Sequence, residues 1–413
     1  MKILFVCQYF YPEVFRGNDI AFHWAEEGHD VHVVCGVPNY PQGKFYSGYG
    51  LFKRRHEEIV RDAQGLKKFK GRVRVTRLPI IPRGNNKIML MLNYFSYLIV
   101  GWVYMLFHAL FHKYDRVFVQ QLSPVMMSTP GVLYKRLRCV PLYTWVLDLW
   151  PESLTAAGGI NNKWVLGFFK QYVKSEYKHS DKILISSRSF ERSILEYEDY
   201  KDKIVYYPQW SDASPNDNVN KSDNLPELPE GFKLMFAGAV GEAHGFECTM
   251  EAARLTKEYK EIKWVIVGDG RKLEWVREYV KEHRLEETVY TLGRFPAETM
   301  PWFFNQADVM LVTLSDDPLF KLYAPAKISS YMAAGKPIVA VLNGEGAEVI
   351  RDAGCGWTLA AGDAEGFAKL AIVLSREDAS ELAAKGANAA KYYNEHFVKE
   401  KCLKKLDDLM GIA

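Results

Sequence analysis

Lys327 stands between two apolar runs, residues 309–314 and 338–342, at the start of a short helical pattern over residues 328–334. Each run has the continuous apolar character of a buried parallel strand. Gly335 can end a helix in the left-handed conformation and Pro337 keeps it from resuming. A polar loop and a helix N-terminus are thereby held at the carboxyl edge of a parallel sheet, where open α/β sheets bind ligands. Backbone N–H groups and the helix dipole already favour an anion there. A lysine added to that position reads as a phosphate or diphosphate site. The same spacing also describes a surface lysine in an ordinary connection.

Other residues with chemical capacity lie at similar places. Residues 238–241 (Gly-Ala-Val-Gly), 268–270 (Gly-Asp-Gly) and 293–294 (Gly-Arg) each follow an apolar run, so they too fall at strand ends. His244 follows the first of these loops as a candidate sugar or phosphate contact, with a solvated loop histidine as the competing reading. Asp148-Leu149-Trp150-Pro151-Glu152-Ser153 follows the run 142–147 and places two carboxylates and an aromatic just past a strand. Gly17, before a helix expected from about residue 18 to 27, would let backbone approach a ligand closely. The first turn is not GxGxxG, so the dinucleotide fingerprint is absent.

These loops need elements to hold them. Apolar runs at 2–7, 30–35, 116–120, 142–147, 182–186 and 204–207 alternate with helical patterns in the first half. Runs at 233–237, 263–267, 288–292, 309–314 and 338–342 repeat the alternation in the second. The stretch between them is rich in Asp, Asn, Ser and Pro and reads as a linker. A chain of 413 residues exceeds a single core. The expected organisation is an α/β domain over 1–210, a linker over 211–230, an α/β domain over 231–385 and a terminal helix over 386–413.

Net charge is only +3, which points to no particular partner and gives no case for nucleic acid. Its distribution is uneven. Residues 53–87 hold twelve Lys/Arg against three acids, and residues 88–111 are almost wholly apolar or aromatic. A buried helix pair, a membrane-crossing helix and a helix resting on an anionic membrane surface all fit; the last joins both segments in one explanation. Six cysteines without a CxxC pair support neither a disulfide framework nor a zinc site and suit a reducing cytoplasm. Residues 1–7 are too short for a signal-peptide core and read as the first strand.

Taken in order and spacing, residues 238–241, 267–270, 292–294 and 325–337 resemble the family-4 glycosyltransferases of the GT-B fold. Residues 38–41 (Pro-Asn-Tyr-Pro), 148–153 and 317–320 (Asp-Pro-Leu-Phe) resemble more narrowly the subgroup that builds bacterial O-antigen and capsule repeats, such as the fucosamine transferases. The resemblance implies two Rossmann-like domains facing each other across a cleft, with the terminal helix crossing back to the first. It implies a retaining transferase that moves a sugar, UDP-linked and of the N-acetyl amino class, to a lipid-linked saccharide. It implies no cofactor and no metal, the leaving diphosphate being neutralised by cationic side chains and helix N-termini. No aspartate-any-aspartate pattern follows a strand, which agrees. The implied catalytic residues are Lys327, Asp148 and Glu152. Donor contacts would come from Gly17, Asn18, Gly238, Gly241, His244, Gly268, Gly270, Arg294, Ser330, Glu345 and Glu348, and the acceptor side from Asn39, Tyr40 and Trp150. The expected location is the cytoplasmic face of the plasma membrane, bound peripherally.

Two departures stand out. Many relatives carry glutamates eight positions apart where this chain has Leu322 and Ser330, the second usually holding the ribose. Ser330 can offer one uncharged hydrogen bond there; Glu345 or Glu348 are substitutes, with helix capping as the rival explanation. Many relatives also place an arginine where this chain has Glu242, which leaves Lys327 as the main phosphate charge. An epimerase acting on a nucleotide sugar and a non-catalytic sugar-binding scaffold are the alternatives on the same architecture.

Overall fold

The computed structural model describes residues 1–61, 68–159, 161–211 and 225–412. Most of the expected linker, and Asp62 and Lys67 of the basic run, lie outside the described residues. The chain divides into two units, Met1–Pro208 with Leu403–Ala413, and Gln209–Cys402.

Unit 1 carries strands β1 (Lys2–Val6), β2 (Asp30–Gly36), β3 (His56–Arg61), β4 (Lys68–Leu78), β5 (Arg116–Gln121), β6 (Leu142–Val146), β7 (Lys182–Ile185) and β8 (Ile204–Tyr206). They order β3-β4-β2-β1-β5-β6-β7-β8, parallel except for β3 against β4. The central strands are buried along both faces, which is why they are continuous apolar runs. The order turns at β1, between β2 and β5. A turning point of that kind opens a crevice at the strands' carboxyl ends.

Two segments differ from the sequence reading. The basic run contains the edge strand β3 and its neighbour β4; along β4 charged and apolar residues alternate, Val73 and Val75 buried while Lys70 and Arg72 are exposed. Period-two alternation on a half-exposed edge reads in sequence as a charge run. Three of its cations are ion-paired in place, Arg72 with Asp30 and both Arg54 and the fully buried Arg77 with the one carboxylate of Glu57.

Residues 88–111 are not a pair of helices. Helix α1 (Arg16–Glu26) is followed after β4 by one long helix, α2 (Lys87–Phe111). A stripe of α2 with Asn93, Tyr97, Gly101 and Met105 is buried on the sheet. Asn93 Nδ2 donates to Ile81 O at 2.6 Å, Gln8 Nε2 donates to Asn93 Oδ1 at 2.7 Å, and Tyr97 Oη donates to Cys7 O at 3.0 Å. The opposite stripe leaves Ile88, Met91, Phe95, Ile99, Trp102 and Phe107 exposed along the helix.

Unit 2 carries β9 (Phe232–Ala237), β10 (Ile262–Val267), β11 (Val289–Gly293), β12 (Val309–Thr313), β13 (Ile338–Val341) and β14 (Gly356–Leu359). Their order, β11-β10-β9-β12-β13-β14, is wholly parallel and turns between β9 and β12. The helix Ala379–His396 packs in unit 2, and the chain then re-enters unit 1 within the helix Lys399–Met410.

That last helix is tied down by charge. Asp407, buried, accepts from Trp24 Nε1 at 2.8 Å and meets His23 Nε2 at 2.6 Å, and Arg116 Nε donates to Met410 O at 2.8 Å. Replacing Asp407 with Ala strands the buried Trp24 indole N–H and removes the partner of the half-buried His23, and a buried donor left unmet costs about 1–3 kcal/mol. Urea unfolding of the full chain should show a loss of that size for Asp407→Ala and a smaller one for Asp407→Asn. Equal stability of all three would mean that the terminal helix is not anchored there.

Candidate functional site

In unit 2 the sheet's turning point places the loop after β9 beside the loop after β12. Lys327 is the second residue of the helix Ala326–Ala333, which Pro325 starts. One turn later the Tyr331 hydroxyl donates to Ala237 O at 2.8 Å and accepts from Ala237 N at 3.0 Å. That pair clamps the helix to the end of β9 and fixes where Lys327 begins.

The Lys327 ammonium lies 3.8 Å from the centre of the ring of Phe236, the penultimate residue of β9. Its Nζ has almost no exposed surface and no hydrogen-bond partner among the described residues. Burial lowers its pKa from the ordinary 10.5 to about 7. His244 packs edge-on to the same ring at 5.5 Å. Its Nδ1 is also buried and unpartnered, and burial with the Lys327 charge brings its pKa to about 4. Thr313 Oγ1 donates to His244 O at 2.6 Å and holds that loop. One aromatic ring therefore seats a lysine and a histidine, both with polar atoms unmatched by the protein. A buried cation without a partner is costly, and an anion delivered between these two groups would satisfy both.

The glycines work by omission. A side chain on Gly238, whose φ is +145°, would sit 3.2 Å from Lys327 Nζ. One on Gly268 would meet Gly238 O at 1.8 Å, and one on Gly270 would meet Val240 O at 2.2 Å. The N–H groups of Gly238 and Val240 are spent on Val267 O and Asp269 O, at 2.9 Å each. Gly238 thus clears space over Lys327; its own N–H is committed elsewhere. Beside it a cavity of about 580 Å³ is lined by Ala239, Gly268, Asp269, Gly270, Arg294 and Phe295, among others. Arg294 stands exposed at its wall.

The other residues of unit 2 separate. Gly241 approaches His244, a side chain there lying 3.8 Å from Nδ1. Ser330 Oγ meets Ser211 Oγ at 3.1 Å, so its hydroxyl already has a partner. Glu345 is fully buried in the first turn of the helix Glu345–Ala353, whereas Glu348 is exposed on it. Glu242 pairs with Lys272 at 3.2 Å, a contact that the arginine expected from relatives could not make.

At the carboxyl edge of unit 1 several expected contacts prove to be scaffold. Gly17 lies inside the first turn of α1, not ahead of it, and a side chain there would meet Gln120 Oε1 at 2.2 Å and Phe5 at 2.8 Å. Close packing therefore explains this glycine. Asn18 spends its amide on the neighbouring loop, accepting from Tyr11 N at 3.0 Å and donating to Glu13 O at 2.6 Å. Asn39 is fully buried, donating to Val37 O at 2.9 Å and accepting from Arg83 N at 2.8 Å. Trp150 is buried, edge-on to Phe169, with its indole N–H donating to Ser123 Oγ at 2.9 Å. Neither asparagine nor Trp150 has its side chain free for an acceptor.

Others remain open to chemistry. Asp148 is half-buried and accepts a short hydrogen bond from Ser153 Oγ. Glu152 has a buried, unpartnered Oε2, and burial raises its pKa above the usual carboxylate value. Gln8, Gln120 and Gln121, at or beyond the ends of β1 and β5, each carry a buried side-chain oxygen without a donor among the described residues. The unmatched glutamine oxygens and Glu152 Oε2 of unit 1 are acceptors, suited to hydroxyl groups, and Lys327 Nζ and His244 Nδ1 of unit 2 are nitrogens, suited to an anion. Glutamines at strand ends carry no spacing signal, so sequence reasoning passed over them. It also passed over Glu13, which is buried, accepts from three backbone N–H groups and has its pKa raised to about 7 by burial. Among the described residues no group of three or more His, Cys, Asp or Glu is arranged to hold a metal ion.

Residues 231–377 match the model of a protein family described as glycosyl transferases group 1. Over 251 residues the chain is 28% identical to the probable glycosyltransferase WbjE of Pseudomonas aeruginosa, covering 58% of this chain and 62% of that protein. Over 326 residues it is 22% identical to the putative colanic acid biosynthesis glycosyl transferase WcaI of Escherichia coli, covering 75% of each. Among solved structures it is similar to Anabaena Alr3699/HepE in complex with UDP, at TM-score 0.66 and 13% identity over the whole of both chains. It is similar also to the sucrose-phosphate synthase of Thermosynechococcus elongatus, at TM-score 0.70 and 13% identity over 99% of this chain and 98% of that one. The chain thus has two Rossmann-like α/β domains with GT-B glycosyltransferases as structural neighbours, and its second domain carries the match to glycosyl transferases group 1.

Proposed function

We propose that the protein is a glycosyltransferase of bacterial surface-polysaccharide synthesis, of the family-4 type. The reading has it move a UDP-linked N-acetyl amino sugar to a lipid-linked saccharide with retention of configuration. The observation that carries it is the Lys327 ammonium, buried on Phe236 without a counter-ion at the turning point of the second sheet. The cavity beside it suits a nucleoside, and the similarity to a structure holding UDP supports that assignment.

In this reading the sugar's C1–O bond to the diphosphate breaks, and the electron pair passes to the phosphate oxygen. Lys327 and the neighbouring helix N-terminus stabilise that charge, as preorganised groups in a dry site do best. The acceptor hydroxyl attacks C1 from the same face, and its proton passes to the leaving phosphate. Asp148 and Glu152 orient sugar hydroxyls. Glu348, exposed on its helix, is the candidate for the ribose in place of Ser330, whose hydroxyl is engaged. Neither a cofactor nor a metal ion takes part.

The acceptor's lipid fits the exposed stripe of α2, which is long, apolar and begins at the exposed Lys87. An anionic bilayer surface is the proposed occupant, each nearby free cation adding about 1 kcal/mol. This would keep the protein at the cytoplasmic face of the plasma membrane.

Two tests follow. The first uses Lys327→Met, which removes the ammonium and keeps the volume. Lys327 is easier to protonate unfolded (10.5) than folded (about 7), so its penalty is complete below pH 7 and fades as pH rises toward 10.5. The variant should be more stable than the parent by about 1–4 kcal/mol at pH 6, with the gap closing by pH 10, and should no longer bind UDP in a calorimetric titration. Parent-like UDP binding would remove Lys327 from the site.

The second incubates the protein with UDP- and GDP-sugars, with and without a lipid-diphosphate-linked sugar, and reads products by mass spectrometry. A glycosylated lipid formed from a UDP-sugar, more abundant when anionic vesicles are added, is expected. Donor conversion without acceptor would indicate an epimerase, and the absence of UDP binding a scaffold. Activity indifferent to vesicles, with no vesicle binding, would contradict the membrane part.

A further inference from the structure

A second cationic centre lies in unit 1, and nothing above uses it. Arg83 sits in the loop between β4 and α2, at the carboxyl edge of the sheet. Its Nη1 donates to Tyr9 Oη at 3.2 Å, and its guanidinium lies over the Tyr40 ring at 5.3 Å. Tyr9 stacks on Phe15 at 5.2 Å and tilts against Tyr40 at 5.4 Å, so the cation rests on an aromatic wall. Tyr94, on the first turns of α2, is within electrostatic reach of Arg83, Asp148 and Tyr40. No carboxylate forms an ion pair with Arg83 among the described residues.

The loop that carries Arg83 is fixed from several sides. Arg83 N donates to Asn39 Oδ1 at 2.8 Å, and Gly84 N donates to Gly43 O at 2.8 Å. Glu13 in turn holds the neighbouring loop, its Oε1 accepting from Asn39 N at 2.8 Å and Tyr40 N at 2.7 Å. Asn18 pins the Glu13 loop through the two bonds already described. Four residues far apart in sequence thus converge to place one guanidinium. Such ordering makes a fixed fork of donors, the geometry that matches phosphate. Just past it begins the exposed apolar stripe of α2, with Ile88, Met91, Leu92 and Phe95.

We infer that Arg83, with the hydroxyls of Tyr9 and Tyr94, binds the diphosphate of a polyprenyl-diphosphate acceptor, whose hydrocarbon chain leaves along the exposed face of α2. The inference rests on the transferase reading for the sugar that this lipid carries, but the binding itself does not. Tyr9 Oη accepts from Arg83, so its own proton is free to donate to a phosphate oxygen. The aromatic wall lowers the water content around the cation and strengthens its pairing with an anion. Asp148, close to Tyr94, then lies where the first sugar beyond the diphosphate would be.

The test uses farnesyl diphosphate, farnesol and inorganic diphosphate as probes. Each is titrated in detergent micelles against the full chain in the Lys327→Met background, so that the unit 2 site adds nothing. Farnesyl diphosphate is expected to bind about ten- to hundredfold more tightly than farnesol, the range for charge-assisted hydrogen bonds. Arg83→Gln should close that gap without changing farnesol binding, and Arg83→Lys should keep part of it. Equal loss of both ligands would make Arg83 a structural residue, and an intact gap would place the diphosphate elsewhere. Inorganic diphosphate binding as tightly as the farnesyl ester, and lost in Arg83→Gln, would make this a free-anion site. Each of the three overturns the proposal. UDP binding to the chain with Lys327 intact reads the transferase proposal separately, and Arg83→Gln should leave it unchanged.

Discussion

An ammonium group held in a dry site without a counter-ion is the constraint on which the second unit is organised. The Lys327 side chain lies on the Phe236 ring, its Nζ unmatched. A site of this kind costs stability while empty and repays it only when an anion arrives. The surrounding features make sense as ways of keeping it in place. Tyr331 locks the helix to β9 through both backbone groups of Ala237. Gly238 leaves the space over Nζ open, and Gly268 and Gly270 let the next loop pack against that one. His244 shares the ring and adds a second unmatched nitrogen. The wholly parallel sheet turns between β9 and β12 and so brings the two loops together.

Unit 1 is built on the opposite charge. Its buried organiser is Glu13, whose carboxylate ties the loop after β1 to the loop after β2 through backbone N–H groups. From there the bonds run through Asn39 to the backbone of Arg83. Polar residues that look like ligands in the sequence are thus consumed in holding loops, and the groups left over are strand-end glutamine oxygens, Glu152 and one caged arginine. Loops of a functional edge need such internal fastening, because they lie beyond the ladder hydrogen bonds that order the strands.

How much of this was legible in the sequence follows from the range of each signal. Buried parallel strands are short unbroken apolar runs, so β1, β2, β5, β6 and β9 to β13 stand out with their ends displaced by a residue or two. The edge strand β3 and its neighbour β4 were hidden, because β3 has no buried residue and in β4 Lys and Arg alternate with buried Val. β14, Gly356–Leu359, is half-buried and has no such run. Lys327 is visible because the strand, loop, proline, helix and glycine stop that frame it run in one stretch from β12 to Gly335, although Phe236 and His244 come from elsewhere in the chain. Arg83 is invisible for the opposite reason. Its environment is assembled from Tyr9, Asn39, Tyr40 and Tyr94, and only the fold brings them together. The same holds for Asn18, Asn39 and Trp150, whose polar groups look available until their partners are known.

The central point is the protonation of Lys327, and it can be observed at the atom itself. Lysine labelled with ¹³C at Cε reports its own titration by NMR, and Lys327→Met identifies the signal. In the protein alone the Lys327 signal should titrate near pH 7, as burial against Phe236 requires. With saturating UDP the midpoint should move up by at least about one unit, since a diphosphate beside the ammonium favours its charged form. A midpoint near the ordinary 10.5 without ligand, or one that UDP leaves unmoved, would contradict the account of an anion site built around a buried, unpaired lysine.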